Sequence, residues 1–323
     1  MIYAALRWIT GIALHWFYGD IRIVGKERIP AQGPLLIAVN HQNALVDSLI
    51  VGWVVPRRIA MTAKATLADN PLIAFVFRIL HVVPLRRVSD EARKQNGLPV
   101  DRSRNREAFS EIIDLLRQGG AVLIFPEGKS HNEFGLEPLK TGLARLALQA
   151  RDEGIKGIRI LPLGLVFEDK GTPGTAVGAR IGEAIEMDSW AAADHTTLTE
   201  EIANRLRAVS EIAGLPPKDS SSHEPPKDSV RERLIASAAW WGRLTHQTPV
   251  RIARSLAVKR STNADEPAML TILFGIGLVL VTYVIHLAIV GALGHSILID
   301  ALYLLGLLTG AYWAAFEQHP RRY

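Results

Sequence analysis

The sequence predicts an α/β fold: a mixed, mostly parallel sheet flanked by helices, followed by a C-terminal transmembrane helical hairpin. Short aliphatic and β-branched runs, among them residues 35–39, 121–125 and 158–167, alternate with segments of helical periodicity such as 105–118 and 141–151. That alternation is the pattern of helical crossovers between parallel strands. Near the C-terminus, residues 270–290 carry no formal charge and residues 297–316 carry only Asp300, each close to the roughly 20 apolar residues a spanning helix needs. Finally, 48% hydrophobic residues in a chain that is 21% charged implies concentration of the apolar residues, and they gather at the two ends.

Residues 1–19 form an N-terminal membrane-associated helix, apolar nearly all round, interrupted by Arg7 and carrying Trp8, Trp16, Phe17 and Tyr18. Aromatics of this kind settle at headgroup level; packing on the protein core would use the same pattern. Residues 20–213 are the α/β domain. Strands are expected at 20–24, 35–39 and 58–62, with a Pro30/Gly33 turn between the first two. The run 71–83, PLIAFVFRILHVV, is too short to span a bilayer and reads as a buried or monolayer-dipping helix that leads to Pro84-Leu85-Arg86-Arg87. The helix 105–118 stops at Gly119-Gly120, a strand 121–125 follows, and helix 141–151 leads to strands 158–167 and 179–185. The last helix of the domain is 198–213.

Residues 214–231 contain PPKDS twice and read as a flexible linker. Residues 232–262 combine Trp240, Trp241 and Leu244 with Arg233, Arg243, Arg251, Arg254, Lys259 and Arg260, which predicts basic amphipathic interfacial helices broken near Pro249. The hairpin occupies 269–316. Lys259 and Arg260 precede it, Arg321 and Arg322 follow it, and the turn has no Lys or Arg. The positive-inside bias then sets both flanks and the α/β domain on the cytoplasmic side.

The formal charge of +5 and a pI near 9.5 suit a membrane surface, an anionic substrate or nucleic acid alike. The basic residues cluster beside membrane segments rather than along an aromatic-studded groove, which disfavours nucleic acid. The chain has no cysteine, which excludes disulfides, thiolate nucleophiles and cysteine metal sites.

The stretch NHQNALVD, residues 40–47, follows a buried strand and precedes a helix. A histidine there sits in a loop at the sheet's edge, and Asp47 in the first turn of the next helix can fold back on it. The pair His41 and Asp47 has the parts of a general base: the carboxylate fixes the tautomer, and the other ring nitrogen takes a proton from a hydroxyl. By residue type alone a His and an Asp six apart in one loop more often describe a merely hydrogen-bonded or solvated pair. A second signal, FPEGKSH from Phe125 to His131, sets Glu127 and the unhindered Gly128 where a loop leaves the sheet. A third is cationic. Lys64, Arg86, Arg87, Lys129 and Lys140 each lie just beyond a strand or in the following loop, as phosphate ligands do, although a single such residue is more often a solvated charge.

The order of these motifs, completed by the proline-containing strand Ile160-Leu161-Pro162-Leu163, resembles the glycerophospholipid acyltransferase family of lysophosphatidic-acid and glycerol-phosphate acyltransferases, over residues 24–166. The resemblance implies His41 as catalytic base, Asp47 as its orienting carboxylate, and Lys64 and Arg87 on phosphate. It also implies Glu127 and Gly128 as acceptor-positioning residues and Pro162 as a wall of the acyl site. Two departures stand out. Five residues separate His41 from Asp47 where most of the family has four, so Val46 occupies the usual carboxylate position. A yeast-like glycerol-phosphate/dihydroxyacetone-phosphate acyltransferase subgroup is similar in both the longer spacing and the FPEGxSH extension. After FPEG the family often has Thr-Arg; here Lys129 and Ser130 leave that phosphate contact to Lys129 or His131.

The implied reaction moves a fatty acyl group from a thioester, acyl-CoA or acyl carrier protein, to the hydroxyl of a glycerol-phosphate acceptor beside a bilayer, without cofactor or metal. Lysophosphatidic acid is the first acceptor and phosphatidic acid its product; glycerol 3-phosphate or dihydroxyacetone phosphate is the alternative. A reading from another class is a catalytically inactive lipid-binding membrane protein.

Overall fold

The structure is a computed structural model and describes residues 2–65, 69, 82–85, 106–131, 135–192, 194–212, 214–217, 230–261, 266–293 and 296–316. Helix α1 (Ile2–Phe17) leads to β1 (Asp20–Val24), β2 (Leu35–Val39), α2 (Ala44–Val54), β3 (Ile59–Lys64) and β4 (Val82–Leu85). Then come α3 (Arg106–Arg117), β5 (Ala121–Ile124), α4 (Gly142–Asp152), β6 (Arg159–Phe167), β7 (Ala176–Ile181), β8 (Ile185–Glu186) and α5 (His195–Ser210). Three long helices close the chain: α6 (Val230–Arg260), α7 (Glu266–Ala292) and α8 (Ile297–Phe316).

The strands form one eight-stranded sheet in the order β1-β7-β6-β2-β5-β3-β4, with β8 on β6. Every pairing is parallel except β6 with β7 and β6 with β8. The mixed, mostly parallel sheet is the predicted one, and β2 shows why. All five of its residues, LLIAV, are buried, as expected of a strand covered on both faces. Alternation along it splits the core in two. Leu35, Ile37 and Val39 pack with α1, α2 and the start of α7, whereas Leu36 and Ala38 face α3, α4 and α5.

Several boundaries differ from the sequence expectation. Val82 and Val83, read as the end of an apolar helix, belong to β4, where they pair with Met61 and Thr62; residues 71–81 of that run lie outside the described residues. Strand β7 is Ala176–Ile181 rather than 179–185, because its register is set by β1 and β6 together. Most of the linker, 218–229, is also outside the described residues.

Helices α7 and α8 are long and apolar enough to cross a membrane, at 27 and 20 residues. Helix α6 runs unbroken through Pro249, contrary to the expected break. A proline inside a helix costs about 3 kcal/mol, but Pro249 is buried on a face that also buries Ala239, Gly242, His246, Ala253 and Ala257. That face packs on the hairpin: Gly242 abuts the Gly310 carbonyl too closely for any side chain, and His246 Nε2 lies 2.7 Å from the Tyr283 hydroxyl. Helix α1 packs as well as presenting aromatics, since Arg7 donates to the Trp53 carbonyl and Trp16 to that of Ala311.

Candidate active site

The site grows from where two parallel neighbours end. Ala38 of β2 lies opposite Ile124 of β5, so the residues that follow each strand leave the sheet side by side at its carboxyl edge, where open α/β sheets hold ligands. Asn40 prolongs the ladder with its side chain: Nδ2 donates to the Leu165 carbonyl at 2.9 Å, and Oδ1 accepts from Leu165 N at 2.7 Å. The chain then turns sharply into α2, with Ala44 at a φ of +43°. A non-glycine residue in that region carries about 1–2 kcal/mol of strain, so something must hold the turn.

Asp47 holds it. Its Oδ2 accepts from Gln42 N at 2.9 Å, Asn43 N at 2.8 Å and His41 Nδ1 at 2.9 Å. Donation from Nδ1 to the carboxylate assigns the ring proton there and leaves Nε2 as the basic nitrogen, which no described residue hydrogen-bonds. The imidazole stacks on Phe125 with centroids 3.9 Å apart and planes 15° from parallel. His41 keeps 8% of its surface while Asp47 is fully buried. The second carboxylate oxygen, Oδ1, has no partner among the described residues. Val46, at the position where four-residue spacing would put the acid, is buried in the apolar cluster beneath the turn. The longer loop is therefore what brings the carboxylate to the ring.

A second layer braces the turn. Asn43 Nδ2 donates to the Tyr18 hydroxyl at 2.9 Å, and Lys170 Nζ, from the turn between β6 and β7, donates to the Gln42 carbonyl at 2.8 Å. Burial, and after it the charge of Asp47, holds the Tyr18 phenol well above its usual 10.0. Phe125, Tyr18, Asn43 and Lys170 were given no role in the site from sequence. The first three are ordinary core or loop types, and Lys170 is far from the motifs along the chain.

The FPEG segment meets this loop but not as anticipated. Instead of facing an acceptor, the Glu127 carboxylate is buried and turned inward: Oε1 accepts from His41 N at 2.6 Å, and Oε2 from His131 Nε2 at 2.5 Å and Glu137 N at 2.8 Å. A buried carboxylate needs such donors; the His41 loop supplies one and the segment after Glu127 the other two. Gly128 takes a φ of +79° in the turn, as its residue type requires. Lys129 is 60% exposed and pairs with Glu137 at 2.9 Å, while Lys140 is exposed and its backbone N donates to the Pro126 carbonyl. His131 is buried, with its Nε2 committed to Glu127. Lys64 ends β3, and Arg86 and Arg87 lie outside the described residues. Pro162 is buried in β6 opposite Ala38, its ring beside Gly182 and Val209 on the face covered by α5.

Residues 20–166 match the family profile described as Acyltransferase. The chain is 32% identical over 119 residues to glycerol-3-phosphate O-acyltransferase 2 of Saccharomyces cerevisiae, covering 34% of this chain and 16% of that protein. It is 29% identical over 130 residues to the 1-acyl-sn-glycerol-3-phosphate acyltransferase of Bacillus subtilis, covering 40% and 57%. The chain thus spans less than two thirds of either relative. The crystal structure of the 1-acyl-sn-glycerophosphate acyltransferase PlsC from Thermotoga maritima has a similar fold, with a TM-score of 0.50 and 22% identity over 67% of this chain and 82% of that one.

Proposed function

We propose, from the premise that residues 20–166 form an acyltransferase-family domain, that the chain transfers a fatty acyl group from a thioester to the hydroxyl of a glycerol-phosphate acceptor at a membrane. The observation that carries this is the 2.9 Å contact between His41 Nδ1 and Asp47 at the carboxyl edge of the sheet, with Nε2 left basic. His41 Nε2 takes the proton of the acceptor hydroxyl as its oxygen attacks the thioester carbonyl. The tetrahedral adduct collapses with rupture of the C–S bond, and the imidazolium returns its proton to the departing thiolate. Asp47 stabilises the imidazolium between the two transfers. The donor is an acyl-CoA or acyl carrier protein, and no cofactor takes part.

Lysophosphatidic acid is the preferred acceptor, giving phosphatidic acid. Acylation of glycerol 3-phosphate or dihydroxyacetone phosphate is the second reading, supported by the five-residue His–Asp spacing and the likeness to the yeast protein. Two helices of membrane-spanning length and basic residues on both flanks of the hairpin support an integral membrane location with the domain facing the cytoplasm.

The test supplies purified protein with one acyl-CoA and each acceptor in turn, reading free thiol and the lipid product by mass spectrometry. Wild type consumes one acceptor, and His41→Ala, which still folds, loses on the order of 10²–10⁴ in rate. Absence of transfer to any acceptor from wild type, with unchanged lipid binding by His41→Ala, would instead establish an inactive lipid-binding protein.

A further inference from the structure

His131 is about as buried as His41 and is not needed for the chemistry above. Its side chain is 5% exposed and its Nε2 is committed to Glu127 Oε2 at 2.5 Å. Nδ1 has no partner among the described residues. Burying an imidazole beside a buried carboxylate is costly unless the pair serves the packing or the site.

The contacts of His41 say which. Both polar groups of its backbone are held by the segment 127–131: its N–H donates to Glu127 Oε1 at 2.6 Å, and its carbonyl accepts from His131 N at 3.1 Å. The Glu127 carboxylate is itself oriented through Oε2 by His131 Nε2 and Glu137 N. Lys170 Nζ spans the same two loops from the other side, reaching the Gln42 carbonyl at 2.8 Å and that of His131 at 3.3 Å. We infer that His131 is a positioning residue of the acyl-transfer site: with Glu127 it clamps the peptide groups on both sides of His41 and so fixes where the basic Nε2 lies. This rests on the acyl-transfer reading and extends it to a residue outside the His–Asp pair.

The physical case is one of torsional freedom. A glutamate's terminal torsion is broad, so Glu127 Oε1 stays on the His41 amide only while Oε2 is tied. Without the His131 donor, Glu137 N alone holds Oε2, and the carboxylate swings. The turn it releases carries the strained Ala44, which favours relaxation away from the observed geometry. A displacement of about 1 Å at a catalytic group is enough to cost on the order of 100-fold.

The experiment measures kcat and KM of the full-length protein with one acyl thioester and its acceptor for wild type, H131A, H131N and H131Q, with melting temperatures alongside. Glutamine carries its amide nitrogen to the position of the imidazole Nε2; asparagine falls short. H131A and H131N are expected to lose about 10- to 100-fold in kcat with KM within about threefold, and H131Q to recover most of that loss. H131A turning over like wild type overturns the clamp. So does equal loss in H131N and H131Q, or a loss expressed in KM, which would make His131 a substrate contact. Should H131A fail to fold, the Gln–Asn difference decides alone. No turnover by wild type would overturn the acyl-transfer reading and the clamp with it, whereas turnover unaffected by any His131 variant sinks only the clamp.

Discussion

Asp47 does two jobs that a single substitution can separate. Its Oδ2 gathers three N–H groups, which fixes the turn, and its charge supports the imidazolium. Asp47→Asn keeps an acceptor oxygen for the turn and removes the charge. It is expected to stay folded by circular dichroism yet to lose on the order of 10²–10⁴ in kcat; a variant with undiminished turnover would show that the carboxylate's charge is not used. At this scale the sequence pointed to His41 and Asp47 because they stand in an ordered set of motifs that resembles a known family. It did not show that Glu127 faces inward. A carboxylate after a strand looks the same whether it meets substrate or a neighbouring amide, and the outcome depends on His41 N lying beside it across a parallel pairing.

Elements were legible where they carry their own signals. The β2 run and the strong periodicity of α3 fixed type and position, and Gly119-Gly120 marked the stop of α3. Helix α5, expected at 198–213, instead spans His195–Ser210 and begins where Asp194 caps it, its side chain accepting from Thr196 N and Thr197 N. Those backbone hydrogen bonds, Thr197's first, lower the Asp194 carboxyl from 3.8 to about 2. Because the folded pKa is depressed, the cap stabilises fully above the unfolded value and the contribution is lost as pH falls from about 4 to about 2. Asp194→Ala should therefore melt below wild type at pH 7, with the gap closing as pH approaches 2 in parallel thermal scans. Helix α6 shows the limit of element-level reading: Pro249 signals a break, but the tertiary face formed with α7 and α8 carries the helix through it.

At the scale of the molecule, the start of the apolar hairpin is part of the domain's own core. Ala268 and Ile272, in the first turns of α7, are buried in the same cluster as Leu14, Val46, Val51 and Ile37. Truncation after residue 217 should therefore yield a domain with a lower melting temperature and raised binding of a hydrophobic dye, even in detergent; a truncated domain as stable as the whole chain would refute this coupling. By itself the sequence determined the α/β class and the two long apolar helices, because these rest on periodicity and length, which are local along the chain, and the order of its motifs, by resemblance, pointed to the His–Asp pair. Only the tertiary structure decided the strand order, the inward turn of Glu127, the roles of Tyr18, Lys170 and His131, and the docking of the hairpin under α2. Each of these depends on segments far apart in sequence being brought within a hydrogen bond or a van der Waals contact, and no one-dimensional pattern encodes that distance.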